Sequence, residues 1–259
     1  MNKHNKYIIA RVIGNELYPR DTVGVRLKSL QFVLDHEPKD IPKIWILNQI
    51  IDSNLKHKLI TVLNKHQQKY SILEFNPNTY KKAQTKSEKI KEAININKAR
   101  NTCIDLTQDY QFRFVFDGDC FFTNELWEET IHQIESDQKT NNRKFYGVPG
   151  IRISDSIPHS LENYKKWEPS LVFRFDADLR FNENIPFAQC DKIELLRRIG
   201  YKCEKGEAIP ETDQCINVGT LLHIHFGNNK ADHDLHYRMQ QRELSINNLL
   251  NQLDKIPIL

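Results

Sequence analysis

Long apolar runs are missing from this chain. Nowhere in its 259 residues is there a stretch near the roughly 18 apolar residues that a membrane-crossing helix needs. The opening segment MNKHNKYIIARVIGNE also lacks the apolar core of a secretion signal. These absences predict a soluble, cytoplasmic chain, with no more than peripheral contact at the inner membrane face. Cysteine is scarce: Cys103, Cys120, Cys190, Cys203 and Cys215 are widely spaced, with no C-x-x-C pair. That argues against a disulfide framework or a thiolate zinc site and predicts reduced structural thiols. An excess of one charge is lacking too, with 37 basic and 34 acidic residues giving +3. Without a basic tract, no nucleic-acid partner is expected. The slight basicity suits an acidic substrate or an anionic membrane face.

The apolar spacing alternates between strand and helix periods in the first half. Strands are predicted at 7–13, 43–47, 70–75 and 111–116, and helices at 23–34, 52–69 and 86–106. Alternation of this kind predicts an α/β fold with parallel pairing and right-handed crossovers, a Rossmann-like nucleotide-binding sheet. The second half reads as strands at 144–153, 170–175 and 218–226, a short helix at 191–199 and a polar helical tail over 231–253. One domain over 1–259 is expected. Its half over about 1–123 would bind the first substrate; the mixed half over about 124–259 would bind the second.

Two carboxylates one residue apart, Asp117-Gly118-Asp119, follow the strand QFRFVF. Ligands of open α/β sheets bind at carboxyl ends of strands. A pair there can hold a hard cation, Mn²⁺ or Mg²⁺, that keeps positions open for phosphate oxygens. Gly118 would let a diphosphate approach closely. The spacing alone is not specific, because Asp176-Ala177-Asp178 repeats it after LVFRF and reads as a surface turn.

What separates the first triplet from its duplicate is the segment Asn97-Lys98-Ala99-Arg100-Asn101 upstream. The pattern N-x-A-R-N, a helix, then an apolar strand ending in D-x-D resembles the family 2-like GT-A glycosyltransferases. IIARVIGNEL is similar to that family's first strand and N-E turn, and KIWILNQIIDSN to its second strand and loop. The resemblance covers about residues 7–123. It implies the GT-A fold, with a mixed acceptor-side subdomain, and a nucleotide-sugar donor. Asn15 and Glu16 would lie near the nucleoside and Arg100 near the donor. Asn48 stands where the family often has an aspartate that reads the base. Asp119 would ligate the metal directly, with Asp117 nearer the ribose or a bound water.

In the second half, Glu211-Thr212-Asp213 follows Pro210 at an expected helix start, where Thr212 or Glu211 could simply be a cap. The family carries an acidic pair in this region, which implies Asp213 as base of an inverting, hexosyl-type transfer, with Glu211 the alternative. His223 and His225 share one strand face. Several GT-A enzymes take a third metal ligand from such a histidine, and some follow it with a glycine and a lysine on the diphosphate, as Gly227 and Lys230 would be. Trp167-Glu168-Pro169-Ser170 is either a core tryptophan or a sugar platform with a carboxylate for hydroxyls. Lys81–Lys91 reads as a solvated loop that could close over the donor.

The leading expectation is thus a metal-dependent glycosyltransferase that moves a sugar from a nucleotide-diphosphate donor, a UDP-sugar first, to a glycan or lipid-linked acceptor. The Asn- and Lys-rich composition suggests bacterial surface polysaccharide synthesis. The alternatives are a sugar nucleotidyltransferase, against which the single glycine of Ile13-Gly14-Asn15-Glu16 argues, and a non-catalytic glycan-binding module.

Overall fold

A computed structural model describes residues 5–189, 191–204, 207–226 and 235–255. The first half alternates as its pattern predicts: β1 Asn5–Ile13, α1 Val25–His36, β2 Lys43–Asn48, α2 Ser53–Lys65, β3 Lys69–Leu73, α3 Pro77–Lys82, α4 Lys86–Ala93, α5 Ile96–Asp105 and β4 Tyr110–Asp117. The second half contains β5 Cys120–Phe121, α6 Asn124–Gln138, β6 Phe145–Ser154, β7 Lys166–Arg174, α7 Ile193–Arg198, β8 Tyr201–Glu204, β9 Glu207–Pro210, β10 Cys215–Asn217, β11 Leu221–His225 and α8 Leu235–Leu253.

One mixed sheet runs through both halves in the order β3-β2-β1-β4-β7-β6-β11-β5, with β10 on β6. The β3-β2-β1-β4 part is parallel; β7 is antiparallel to both β4 and β6. The α/β class read from the sequence is what the structure shows. Between β1 and β4 the strand order reverses, so a crevice opens at their carboxyl ends, where open α/β sheets hold ligands.

Both faces of the sheet are covered. Ala99, Cys103 and Ile104 of α5 pack with Ala10, Val12 and Ile46 on one side, joined by Leu195 and Leu196 of α7. Leu30 and Val33 of α1 and Leu55, Leu59 and Leu63 of α2 pack with Trp45 and Leu47 on the other. Each such buried aliphatic contributes roughly 1.5–3 kcal/mol.

Three expectations about elements change. The helix predicted over 86–106 is two helices, because Asn95 caps a new start by accepting from Lys98 N at 3.0 Å. The Lys81–Lys91 stretch is no loose lid. The Tyr80 hydroxyl donates to Leu250 O and Asp254, and Lys89 pairs with Asp254 at 2.8 Å, which ties α3 and α4 to the C-terminal end of α8. That tail is not all polar either, since it buries Ile246, Leu249, Leu250 and Leu253. Among the described residues no helix is long and apolar enough to cross a membrane.

Candidate active site

The Asp117-Gly118-Asp119 turn leaves β4 at the strand-order reversal, beside β1 (Val12 is level with Asp117). Gly118 is required by that neighbour: a Cβ would stand 2.8 Å from Ile13 Cγ1 and 2.9 Å from the Val12 carbonyl oxygen. Its smallness therefore serves packing on β1, a different reason from the diphosphate approach expected of it. Arg11, fully buried in β1, fixes the far side of the turn. Its Nε donates to Cys120 O at 2.8 Å, its Nη2 pairs with buried Glu37, and Glu37 also accepts from Phe122 N. The guanidinium lies between Trp45 and Phe116, 5.1 and 5.9 Å from the ring centroids.

Every letter of N-x-A-R-N has a use in α5. Asn97 donates to Asn182 O and Asp191 O, and Asn101 exchanges hydrogen bonds with the Phe181 backbone, so the two hold Phe181, Asn182 and Asp191 against α5. Ala99 is in the core and Lys98 faces solvent. Arg100 bridges Asp117 at 3.1 Å and Asp191 at 2.7 Å. Burial alone would raise the Asp117 carboxyl, but Arg100 and Lys192 outweigh it and hold it below its ordinary range.

Asp119 meets the second half of the chain. His223 Nε2 lies 3.0 Å from its Oδ1 and Arg26 Nη1 is 3.7 Å from its Oδ2. Burial raises this carboxyl as well; His223 and then Arg26 more than reverse that and keep it ionised. The neighbour relation comes from β11, which runs antiparallel to β5 with His223 level with Cys120. His225, on the same face, has its ring 4.2 Å from that of His223. Burial, then His223, drives His225 well below the usual imidazole range, so it is neutral.

Among the described residues, one group of ligand-type side chains converges within 4.8 Å: Asp119, Cys120 and His223. Of the expected metal set, Asp119 and His223 come together, while Asp117 is engaged by Arg100 and His225 stands outside the group. Cys120 is the addition. Burial pushes its thiol well above the ordinary range, so it stays protonated, and the carboxylate and imidazole remain as donors. One carboxylate oxygen and one imidazole nitrogen suit a divalent ion that accepts mixed donors, Mn²⁺ more readily than the oxygen-preferring Mg²⁺.

Around this pair lies a cleft of about 170 Å³ that also reaches Gly14, Asn15 and Asn48. Asn15 is spent on structure: it donates to Gln49 O and accepts from Ile51 N, both at 2.8 Å, joining the loops after β1 and β2. Asn48, at the end of β2, is different. It is buried, yet neither its Oδ1 nor its Nδ2 has a hydrogen-bond partner. Glu16 is not at the cleft. Its carboxylate accepts from Gly24 N and Arg26 N, satisfying the first turn of α1, whose Gly24 cap has no side chain to do so. Lys230 and Gly227 lie outside the described residues, as do Cys190 and His233.

The expected base does not reach the cleft. Glu211, Thr212 and Asp213 occupy the exposed turn between β9 and β10 rather than a helix start. Their conformation is set by packing elsewhere: Glu211 N donates to Gly200 O, Thr212 fills the space that Gly200 leaves open, and Arg143 donates to Asp213 O. Besides Asp117 and Asp119, the cleft is lined by the carboxylate of Glu168 on β7, 3.6 Å from Lys192 Nζ. Lys192 first, against burial, holds it ionised. Trp167 beside it is not a core residue; it is half-buried under Arg152, whose guanidinium carbon is 4.0 Å from the ring centroid. The sequence pattern also missed Arg238 and Arg242, which α8 brings to the cleft. Their i, i+4 spacing, continued by the apolar stripe from Ile246, was the signal available.

No family model matches the chain, and no curated protein matches it. Among solved structures, S. aureus TarS 1-349 in complex with UDP is 13% identical over 98% of this chain and 76% of that one, with a TM-score of 0.49. GalNAc-T7 with UDP, GalNAc and Mn²⁺ is 9% identical over 88% of this chain and 45% of that one, also at 0.49. A 4-diphosphocytidyl-2C-methyl-D-erythritol synthase is 11% identical over 93% and 98%, at 0.35. With identities this low and TM-scores under 0.5, none of the three carries weight for function.

Proposed function

We propose that this chain is a metal-dependent glycosyltransferase that takes a nucleotide-diphosphate sugar, UDP-linked first, and passes the sugar to a glycan or lipid-linked acceptor. The observation that supports this best is a coincidence of place. At the strand-order reversal, the Asp119–His223 donor pair and the unpartnered Asn48 amide line one cleft. An amide presents an acceptor beside a donor, the complement of a pyrimidine edge with neighbouring N–H and C=O groups. Asp119 and His223 would hold Mn²⁺ or Mg²⁺, which when bound neutralises charge on the departing diphosphate. Arg100 keeps Asp117 ionised and oriented, and Arg26 does the same for Asp119.

Glu168 replaces Asp213 and Glu211 as the base in this reading. In an inverting hexosyl transfer the acceptor hydroxyl oxygen bonds to the anomeric carbon, the bond to the diphosphate oxygen breaks, and the hydroxyl proton passes to the Glu168 carboxylate. The Asn- and Lys-rich composition fits a bacterial surface polysaccharide pathway.

The test is thermal unfolding with UDP, GDP and CDP, each with and without Mn²⁺, followed by hydrolysis of a panel of nucleotide sugars. A Mn²⁺-linked shift with UDP and release of UDP from one donor are expected. No metal-linked shift with any of the three nucleotides would remove this reading; a shift without hydrolysis would favour a binding module. For the base, Glu168→Gln should lower kcat by roughly 10²–10⁴-fold, whereas Asp213→Asn should not. Full activity in Glu168→Gln would remove the assignment.

A further inference from the structure

The cleft also holds arginines that the donor reading leaves unused. Arg152 comes from β6 and Arg242 from α8, near Arg20, which is itself paired with Asp21. The cations on the carboxylate side are matched: Arg100 with Asp117 and Asp191, Arg26 with Asp21 and Asp119. By contrast, Nε and Nη1 of Arg152 and Nε of Arg242 are buried with no hydrogen-bond partner. Buried N–H groups of a cation are normally satisfied, and a carboxylate or phosphate satisfies a guanidinium best, through paired bonds.

The two side chains are also held in place. Arg152 stacks on Trp167, and Arg242 and Arg20 lie 5.8 and 6.0 Å from the Phe187 ring centroid. They crowd one another as like charges. Burial lowers Arg152 to about 10, with Glu168 opposing and Arg242 adding to the fall; burial and then Arg20 lower Arg242. Such an arrangement costs stability in the free protein and is relieved by an anion between the two groups. Arg242 and Phe187 also line a neighbouring cavity of about 600 Å³ between α4 and α8, with Ile90, Met239 and Ile246 in its wall.

We propose that Arg152 and Arg242 form a second anion subsite, beside the Asp119–His223 centre (Arg152 is level with His223 across β6 and β11), for a phosphate or carboxylate that a substrate carries besides the donor diphosphate. This rests on the glycosyltransferase reading above. The position of Arg242 between the cleft and the α4–α8 cavity points to the acceptor as carrier; an acidic transferred sugar offers the same chemistry.

The experiment is calorimetry in two steps. UDP with Mn²⁺ is titrated first, then inorganic sulfate (an oxyanion that leaves Mn²⁺ in solution) into the UDP-loaded protein. Wild type should bind sulfate on top of UDP. Arg152→Gln and Arg242→Gln should each weaken sulfate at least tenfold while UDP affinity moves less than threefold, and Arg242→Lys should recover part of the loss. Equal losses for UDP and sulfate, or mutual exclusion of the two, would overturn the proposal, because the arginines would then grip the donor diphosphate itself. Absence of sulfate binding to the loaded protein would overturn it too. Failure of UDP to bind in the first step would instead sink the donor reading, so the two failures are distinguishable. A UDP-hexuronic acid that binds better than the neutral UDP-hexose in wild type, and loses that advantage in Arg242→Gln, would place the anion on the sugar. Equal affinities with sulfate still bound would place it on the acceptor.

Discussion

The chain contains the same local pattern twice, an apolar strand followed by D-x-D, and the two copies have opposite fates. Asp117-Gly118-Asp119 leaves β4 and Asp176-Ala177-Asp178 follows β7, its neighbour. Because β7 runs antiparallel, its last residue Arg174 is level with Phe112 near the start of β4. The second triplet therefore lands at the sheet edge opposite the crevice. There Asp176 takes a bidentate bond from Arg174 at 2.6 and 2.7 Å, and Asp178 is exposed near Lys144. In the first triplet Asp119 is matched by a histidine from the far half of the chain, and Asp117 by an arginine with a second acid behind it. Strand direction, rather than motif, decides which triplet reaches the crevice.

The contrast can be broken in four places. Arg100→Ala should do most damage, since it strands Asp117 and Asp191 beside a buried gap; about 3–5 kcal/mol should be lost in urea unfolding. A loss under 1 kcal/mol would mean that the first triplet is no better integrated than the second. Asp21 comes next. Arg26 and Arg20, against burial, hold its carboxyl below the ordinary range. A depressed folded pKa gives stability that is complete above the unfolded value near 4 and is lost as pH falls below it. Asp21→Asn should therefore cost about 2 kcal/mol at neutral pH and flatten the acid limb of the stability profile. An unchanged acid limb would remove Asp21 from the account. Asn48→Ala should weaken UDP about tenfold, near 1.4 kcal/mol, with no loss of fold stability, because the amide has no partner within the protein. Unaltered UDP affinity would take the amide out of the donor contact. Smallest is Asp178→Asn, expected within about 0.5 kcal/mol of wild type in stability; a larger effect would give the second triplet a role that its exposure denies.

Much of the carboxylate side was legible because its parts are close in sequence or repeat with a clear period. The parallel strands, Asn48 at the end of β2, and Arg100 upstream of Asp117 are all local readings. His223 was legible as half of a pair on one strand face. Glu168 was singled out as a carboxylate for hydroxyls, but Arg152 and Arg242 were not, because they join it only through the pairing of β6 with β7 and the return of α8 over the sheet. A strand residue such as Arg152 gives no sign of which face or edge it will occupy until its neighbour strand is known. The acidic Glu211-Thr212-Asp213 segment misled for the converse reason. Its residues suit a helix cap, but the close contact of Thr212 with Gly200 holds them in a turn. Glu16 was drawn to the nucleoside by the N-E turn, whereas the uncapped start of α1 claims its carboxylate.

The central claim is that Asp119 and His223 make a metal-linked donor site and that the second triplet does not. The most direct measurement is the Mn²⁺-dependent thermal shift with UDP in wild type, Asp119→Asn and Asp178→Asn. The account predicts a shift in wild type, the same shift in Asp178→Asn, and a loss of at least roughly 100-fold in Mn²⁺-linked UDP affinity in Asp119→Asn. An equal shift in all three proteins would contradict it.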